Sequence, residues 1–160
     1  NKFSFENSLR DTLNARDETH ECALLLVDID NMKRMNDELG KLVGDMFLEN
    51  VAEFLTSIFR GSDIIGRVGG DEFMVYVRNL KSEDWLAGKC SRIQHEIKAI
   101  SNENGNINMT CSIGAAVAGK VPVSFEQMYT QADDSLYKAK TRGRGKYVLH
   151  YVHKEREVIH

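Results

Sequence analysis

Three carboxylates with unusual neighbours are the residues of this sequence best placed to do chemistry. Asp28 follows the apolar stretch Ala23 to Val27, and Asp71-Glu72 comes directly after Gly69-Gly70, between two further apolar runs. If these stretches are neighbouring strands of one sheet, Asp28, Asp71 and Glu72 converge at its edge, with the carbonyl of Ile29 alongside. Hard oxygen ligands from two separate backbones suit magnesium, which keeps several waters and takes a few carboxylates together with substrate phosphates. Such a site serves phosphoryl-type transfer, in which charge on a triphosphate is neutralised and an attacking hydroxyl loses its proton. Two adjacent acids repel one another unless something cationic offsets them. Gly69 and Gly70, lacking Cβ atoms, permit positive φ and let a nucleotide approach the backbone closely. Asp30 is expected to cap the helix that follows it.

The elements that must hold these residues follow from periodicity. Phe5, Leu9 and Leu13 predict a helix over Phe3 to about Arg16, and Ala23 to Val27 is a short strand suited to burial on both faces. A short polar helix is expected near Asn31 to Glu38. A longer one follows, with Phe47, Val51, Phe54 or Leu55, and Ile58 as its apolar stripe, ending before Gly61. The runs Asp63 to Val68 and Phe73 to Val77 flank the glycine-acid turn as a hairpin. Ser82 caps a helix with Glu83 and Asp84 in its first turn and Leu86, Cys90, Ile93, Ile97 and Ile100 at helical spacing. Met109, Cys111, Ile113, Ala115 and Val117 alternate as one face of a strand. Ser124 and Gln127 form a capping box for a helix carrying Met128, Ala132, Leu136 and Ala139. Gly143 and Gly145 then break the chain before a last strand near Tyr147 to Val152. The order α-β-α-α-β-β-α-β-α-β predicts an α/β (α+β) fold: a central mixed five-stranded sheet with a β-hairpin, flanked by helices.

At 160 residues the chain is expected to be one domain, residues 1–160. With 42% apolar residues, 28% charged residues and one proline it has the composition of a folded domain. A formal net charge of -3 gives no global pull towards nucleic acid or an anionic membrane, so an anion site must be built from a few local basic residues. The longest apolar run, Cys22 to Val27, is six residues, against the ~20 of a membrane span. No membrane contact is expected from this segment. Cys22, Cys90 and Cys111 are odd in number and contain no CxxC pair, which reads as buried thiols in a reducing cytoplasm. The chain begins at Asn1 without a methionine or a signal-like segment, so it is expected to be a piece of something longer.

Arg67-Val68-Gly69-Gly70-Asp71-Glu72-Phe73 resembles the name-giving motif of the GGDEF family, the bacterial diguanylate cyclases. Asp28 to Asp37 resembles the family's D-x-D-x-F-K-x-x-N-D stretch, and Gly44-Asp45 its following G-D. Ala132-Asp133 to Leu136-Tyr137, with Lys140 and Arg144, resembles its C-terminal helix. The likeness covers roughly Asn1 to Val148. It implies a fold like the polymerase palm and the class III nucleotide cyclases. It also implies one GTP per domain, joined in pairs into cyclic di-GMP with release of pyrophosphate when two domains face each other as a homodimer.

The same resemblance implies two Mg²⁺ (or Mn²⁺) ions per active site, held by Asp28, the Ile29 carbonyl, Asp71 and Glu72. Asp71 takes the place of the proton acceptor for the 3'-hydroxyl, with Glu72 and Lys33 beside it in the catalytic set. Asn36 and Asp45 read guanine, Lys33, Lys140 and Arg144 hold phosphates, and Gly69 and Gly70 lie against the nucleotide. A carboxylate is the acceptor that guanine's N1–H and amino group require. Arg60-Gly61-Ser62-Asp63 resembles the family's R-x-x-D product-inhibition site, with Arg92 as a second arginine. The implied partners are GTP, cyclic di-GMP, a second copy of the domain and an N-terminal sensory or regulatory domain outside this chain. The implied location is cytoplasmic, with any membrane anchor elsewhere in the full-length protein. The rival is a GTP or cyclic di-GMP binding module of the same fold without turnover. Four departures stand out: Met32 for phenylalanine, Lys41 for histidine, Gly145 for asparagine, and a lead-in D-x-L-T-G-L-x-N-R reduced to Asn1-Lys2.

Overall fold

Every side chain from Cys22 to Val27 is apolar, so the strand they form has to be covered on both faces. In the computed structural model this strand, β1 (Cys22–Ile29), is central: Ala23, Leu25, Val27 and Ile29 enter one core, and Cys22, Leu24 and Leu26 the other. The structure describes residues 2–103, 105 and 107–153, and the backbone alone of 157–159. Asn1, where the shortened lead-in begins, lies outside the described residues.

The other elements are α1 (Lys2–Asn14), α2 (Met32–Leu39), α3 (Lys41–Ile58), β2 (Ile64–Arg67), β3 (Glu72–Val77), α4 (Glu83–Glu103), β4 (Cys111–Ala118), α5 (Phe125–Thr141), β5 (Tyr147–Tyr151) and β6 (Glu157–Ile159). The sheet order is β2-β3-β1-β4-β5-β6. β1 runs antiparallel to both β3 and β4, while β4 and β5 are parallel. The expected five-stranded mixed sheet is thus present, and β6 adds a three-residue edge antiparallel to β5. A segment that short carries no periodicity from which it could be read.

Helices α2, α3 and α4 cover one face, and α1 and α5 the other. Both expected caps are made. Ser82 Oγ accepts from the N–H of Trp85 at 3.0 Å, and Ser124 and Gln127 exchange both bonds of the capping box. β4 presents its expected face to one core, and its other face is buried as well. Ile113, Ala115 and Val117 enter the core beneath α4, while Ala116 and Ala118 lie under α5. A small residue is required there. A Cβ on Gly114 would stand 2.2 Å from the backbone N of Leu136 and 2.3 Å from the carbonyl of Ala132, so glycine lets α5 settle directly on the sheet. The three cysteines are free and buried; burial alone pushes the Cys90 thiol up to about 12.

Candidate active site

Strand pairing brings the three acids together. The antiparallel register of β1 and β3 sets Asp28 opposite Glu72, and the N–H of Ile29 donates to the carbonyl of Asp71 at 3.0 Å. In the β2–β3 turn, Val68 N–H and Gly69 N–H donate to the carbonyl of Glu72 at 2.9 and 3.4 Å. The guanidinium of Arg67 spans this turn, its Nε donating to the carbonyls of Gly69 at 3.2 Å and Gly70 at 3.1 Å. Neither Gly69 nor Gly70 uses the positive φ that glycine permits. What their missing Cβ leaves is room: nothing lies within 4 Å of a Cβ placed on Gly70.

Charge at this edge is under-compensated. Burial pushes the Asp28 carboxyl up, the hydrogen bond and charge of Lys140 oppose the shift, and Asp71 and Asp30 add to it. Burial likewise raises Glu72, against the charge of Lys2 and reinforced by Asp28. Lys140, reaching in from α5, forms an ion pair with Asp28 and is the cation that partly answers the acids. Among the described residues no three His, Cys, Asp or Glu side chains close into a metal cage. The open set of Asp28, Glu72 and the Ile29 carbonyl fits a hard divalent cation that completes its shell with water and phosphate.

Both carboxyls are raised above their unfolded values. Their contribution to stability is therefore full below about pH 4 and is lost as pH climbs through the raised values. At neutral pH the ionised pair works against the ligand-free fold. Glu72→Gln is accordingly expected to raise the melting temperature of the ligand-free protein by a few degrees at pH 7, with the difference gone below pH 4. Thermal unfolding at the two pH values checks this, and a destabilised variant at pH 7 contradicts it.

Next to the acids is a cavity of roughly 270 Å³ whose wall includes Asn36, Lys41, Asp45, Arg67, Gly70 and Asp71. It joins the two residues expected to read a base to the turn expected to lie against the nucleotide. Oδ1 of Asn36 is buried and has no hydrogen-bond partner. A Cβ on Gly44 would fall 2.0 Å from that oxygen, which is why glycine precedes Asp45 on α3. Asp45 meets Lys41 Nζ at 3.3 Å in an exposed pair. A larger cavity of about 460 Å³, lined in part by Arg16, Cys22, Tyr76 and Arg78, contains none of these residues. Chemistry rather than size marks the smaller one.

Two basic residues pair with carboxylates other than these three acids. Lys33 is 88% exposed, pairs with Asp37 at 3.9 Å and borders a shallow depression on α2 instead of the cavity. Arg144 Nη1 stands 3.6 Å from Asp30 Oδ1. Asp30 itself corrects an expectation, since it does not cap α2. The N-cap is Asn31, left-handed at φ 58° and making no side-chain cap bond. Asp30 instead accepts from the hydroxyls of Thr110 at 2.7 Å and Ser112 at 2.8 Å and from the N–H of Gly145 at 3.1 Å.

Comparison with known proteins gives the family. Residues 1–146 match the family described as "Diguanylate cyclase, GGDEF domain". The chain belongs to the GGDEF domain family. It is 34% identical over 151 residues to diguanylate cyclase DgcS of Shewanella oneidensis, covering 93% of this chain and 49% of that protein. It is 34% identical over 141 residues to diguanylate cyclase A of Treponema denticola, covering 86% of this chain and 38% of that one. The GGDEF domain thus spans half or less of these relatives. A solved microbial GGDEF domain, studied for its interaction with cyclic di-GMP, superposes with a TM-score of 0.77 at 30% identity, over 94% of this chain and 92% of that one.

The R-x-x-D motif of this GGDEF domain forms a separate, tightly bonded fork. The Asp63 side chain is fully buried. It accepts from Arg60 N–H at 3.0 Å, Arg60 Nε at 3.2 Å, Arg60 Nη2 at 3.3 Å and Arg78 N–H at 3.1 Å. The Arg60 guanidinium stacks on Trp85 at 5.0 Å, and Lys89 Nζ lies 5.2 Å from the same ring. Burial lowers the Lys89 ammonium, and the charges of Arg92, Lys81 and Arg60 lower it further. Arg92 packs over Phe54 at 5.7 Å within this basic patch. Trp85, absent from the motif, is the aromatic platform that sequence reading missed.

Proposed function

We propose that this GGDEF domain is a diguanylate cyclase that condenses two GTP into cyclic di-GMP. The observation that carries the reading is the cavity joining Asn36 and Asp45 to Gly70 and Asp71, beside the Asp28–Glu72 acid pair. Asn36 and Asp45 orient guanine, Asp45 accepting from N1–H and the exocyclic amine and Asn36 offering its unpartnered Oδ1. Gly69 and Gly70 give the phosphates access to the turn, and Lys140, Arg144 and the exposed Lys33 neutralise them. Asp28, Asp71, Glu72 and the Ile29 carbonyl are the residues that would hold two Mg²⁺ or Mn²⁺ ions. When bound, the metal neutralises triphosphate charge and lowers the pKa of the attacking hydroxyl. Lys140 then exchanges its Asp28 partner for a phosphate.

In the reaction each 3'-oxygen forms a bond to the α-phosphorus of the other GTP, the bond to pyrophosphate breaks, and Asp71 takes the hydroxyl proton. Ring closure needs two GTP held face to face, so two domains related by a two-fold axis make the working unit. In the whole protein we place an N-terminal sensory or regulatory domain beside this single domain, residues 1–160, in the cytoplasm. No helix among the described residues is long and apolar enough to cross a membrane.

Base choice tests the cavity. Asp45→Ser is expected to reduce GTP-over-ATP discrimination by about tenfold or more, because guanine's two donors lose their charged acceptor. Competition binding measures this. Unchanged discrimination removes Asp45 from the pocket.

The basic patch around Arg60 is proposed to hold cyclic di-GMP as an inhibitor. Arg60 and Arg92 meet its phosphates and Trp85 its bases, while Asp63, with both oxygens occupied, fixes the Arg60 fork. Arg60→Ala is expected to abolish inhibition and to cost about 1–3 kcal/mol of stability, since the buried Asp63 loses its charged donors. Calorimetric titration with cyclic di-GMP and thermal unfolding check the two effects.

A further inference from the structure

The Asp30 carboxylate belongs neither to the acid pair nor to the base cavity, yet it is among the most heavily bonded side chains of the domain. It is 5% exposed, and its partners come from two distant stretches. Thr110 and Ser112 lie at the start of β4, and Gly145 N–H and Arg144 Nη1 lie in the turn between α5 and β5. That turn is left-handed throughout: φ is 115° at Gly143, 61° at Arg144 and 60° at Gly145. A non-glycine residue keeps such a backbone only where its surroundings impose it. The imposing contacts are visible. Arg144 N–H donates to the carbonyl of Ala139 at 3.1 Å, and the next N–H, from Gly145, donates to Asp30. With its backbone held, Arg144 keeps a side chain 56% exposed and close to a buried anion two residues beyond Asp28.

We infer that Asp30 is a positioning residue of the nucleotide site, which fixes the left-handed turn 143–145 and thereby aims the Arg144 guanidinium at the triphosphate. This rests on the proposed role of Arg144 in holding phosphate. Asp30 touches no substrate. It ties the strand end that carries Asp28 to the turn that carries Arg144, and so helps to fix where the arginine stands relative to the acids.

The test is a double-variant cycle read by calorimetry, with two probes in the presence of Mg²⁺. One is the GTP analogue with a methylene in place of the α–β bridging oxygen, which cannot release pyrophosphate; the other is guanosine. Asp30→Asn is expected to weaken the analogue about tenfold and guanosine less than twofold, and to add nothing to the loss already caused by Arg144→Ala. Should Asp30→Asn fail to fold, the Thr110→Val/Ser112→Ala pair, which keeps the charge and releases the carboxylate from its two hydroxyl donors at β4, is expected to show the same selective, non-additive loss. Equal weakening of both probes, or losses that multiply across the cycle, would overturn the positioning role alone. An Arg144→Ala variant that binds the analogue normally would overturn it together with the phosphate site beneath it.

Discussion

Asp71→Asn is expected to lower cyclic di-GMP formation by about 10³-fold or more while the protein stays folded. The asparagine keeps the size of the side chain, and the backbone carbonyl that receives Ile29 N–H is untouched, so the β1–β3 pairing survives. What is lost is a negative charge on the cavity wall and the acceptor for the hydroxyl proton. General-base catalysis alone contributes ~10²–10⁴-fold, and a lost metal ligand adds to this at about tenfold per ~1.4 kcal/mol. Initial rates at saturating GTP, together with a melting temperature close to wild type, check the expectation. A folded variant with wild-type turnover contradicts the assignment of Asp71.

The largest effect on the fold is expected from Gly114→Ala. The new Cβ meets backbone atoms of α5 at 2.2–2.7 Å, and no side-chain rotation relieves a clash with helix backbone. The helix must therefore move off β4. Overpacking costs ~1–3 kcal/mol where side chains can adjust, so about 3 kcal/mol or more is expected here, which at this size is a fall of ~6–12 °C in melting temperature. Because α5 also delivers Lys140 to Asp28 and leads into the Arg144 turn, affinity for GTP should fall with it. Thermal unfolding and titration give both numbers. An unshifted melting temperature would mean that α5 and β4 are not packed backbone to backbone.

The contrast between these two positions reflects what a sequence can reveal. Asp71 lies in a motif whose local spacing already places acids beside glycines, and the β2–β3 register then follows from two apolar runs and a short turn. The capping box at Ser124 and the cap at Ser82 are likewise local, three residues wide, and both are made. Gly114 shows in the sequence only as one small residue in an alternating strand. Its necessity comes from a helix packed over it from about twenty residues further on. Asp30 is the clearest case. Helix-capping statistics apply to its position, but partners more than 75 residues away in sequence claim its oxygens first. The resemblance makes Lys140 a phosphate ligand, but its ion pair with Asp28 comes from the packing of α5 against the sheet. Trp85 and the Arg67 brace were missed for the same reason, since each depends on which distant backbone or cation it meets.

In the proposed function the cavity and the acid pair together turn GTP into a cyclic dinucleotide. Chromatography of the nucleotides after incubation of the protein with GTP and Mg²⁺ checks this. Cyclic di-GMP and pyrophosphate are expected in a ratio of one to two, with GTP consumed to match. GTP that is bound but recovered unchanged, or that is released as GDP and phosphate, would contradict it.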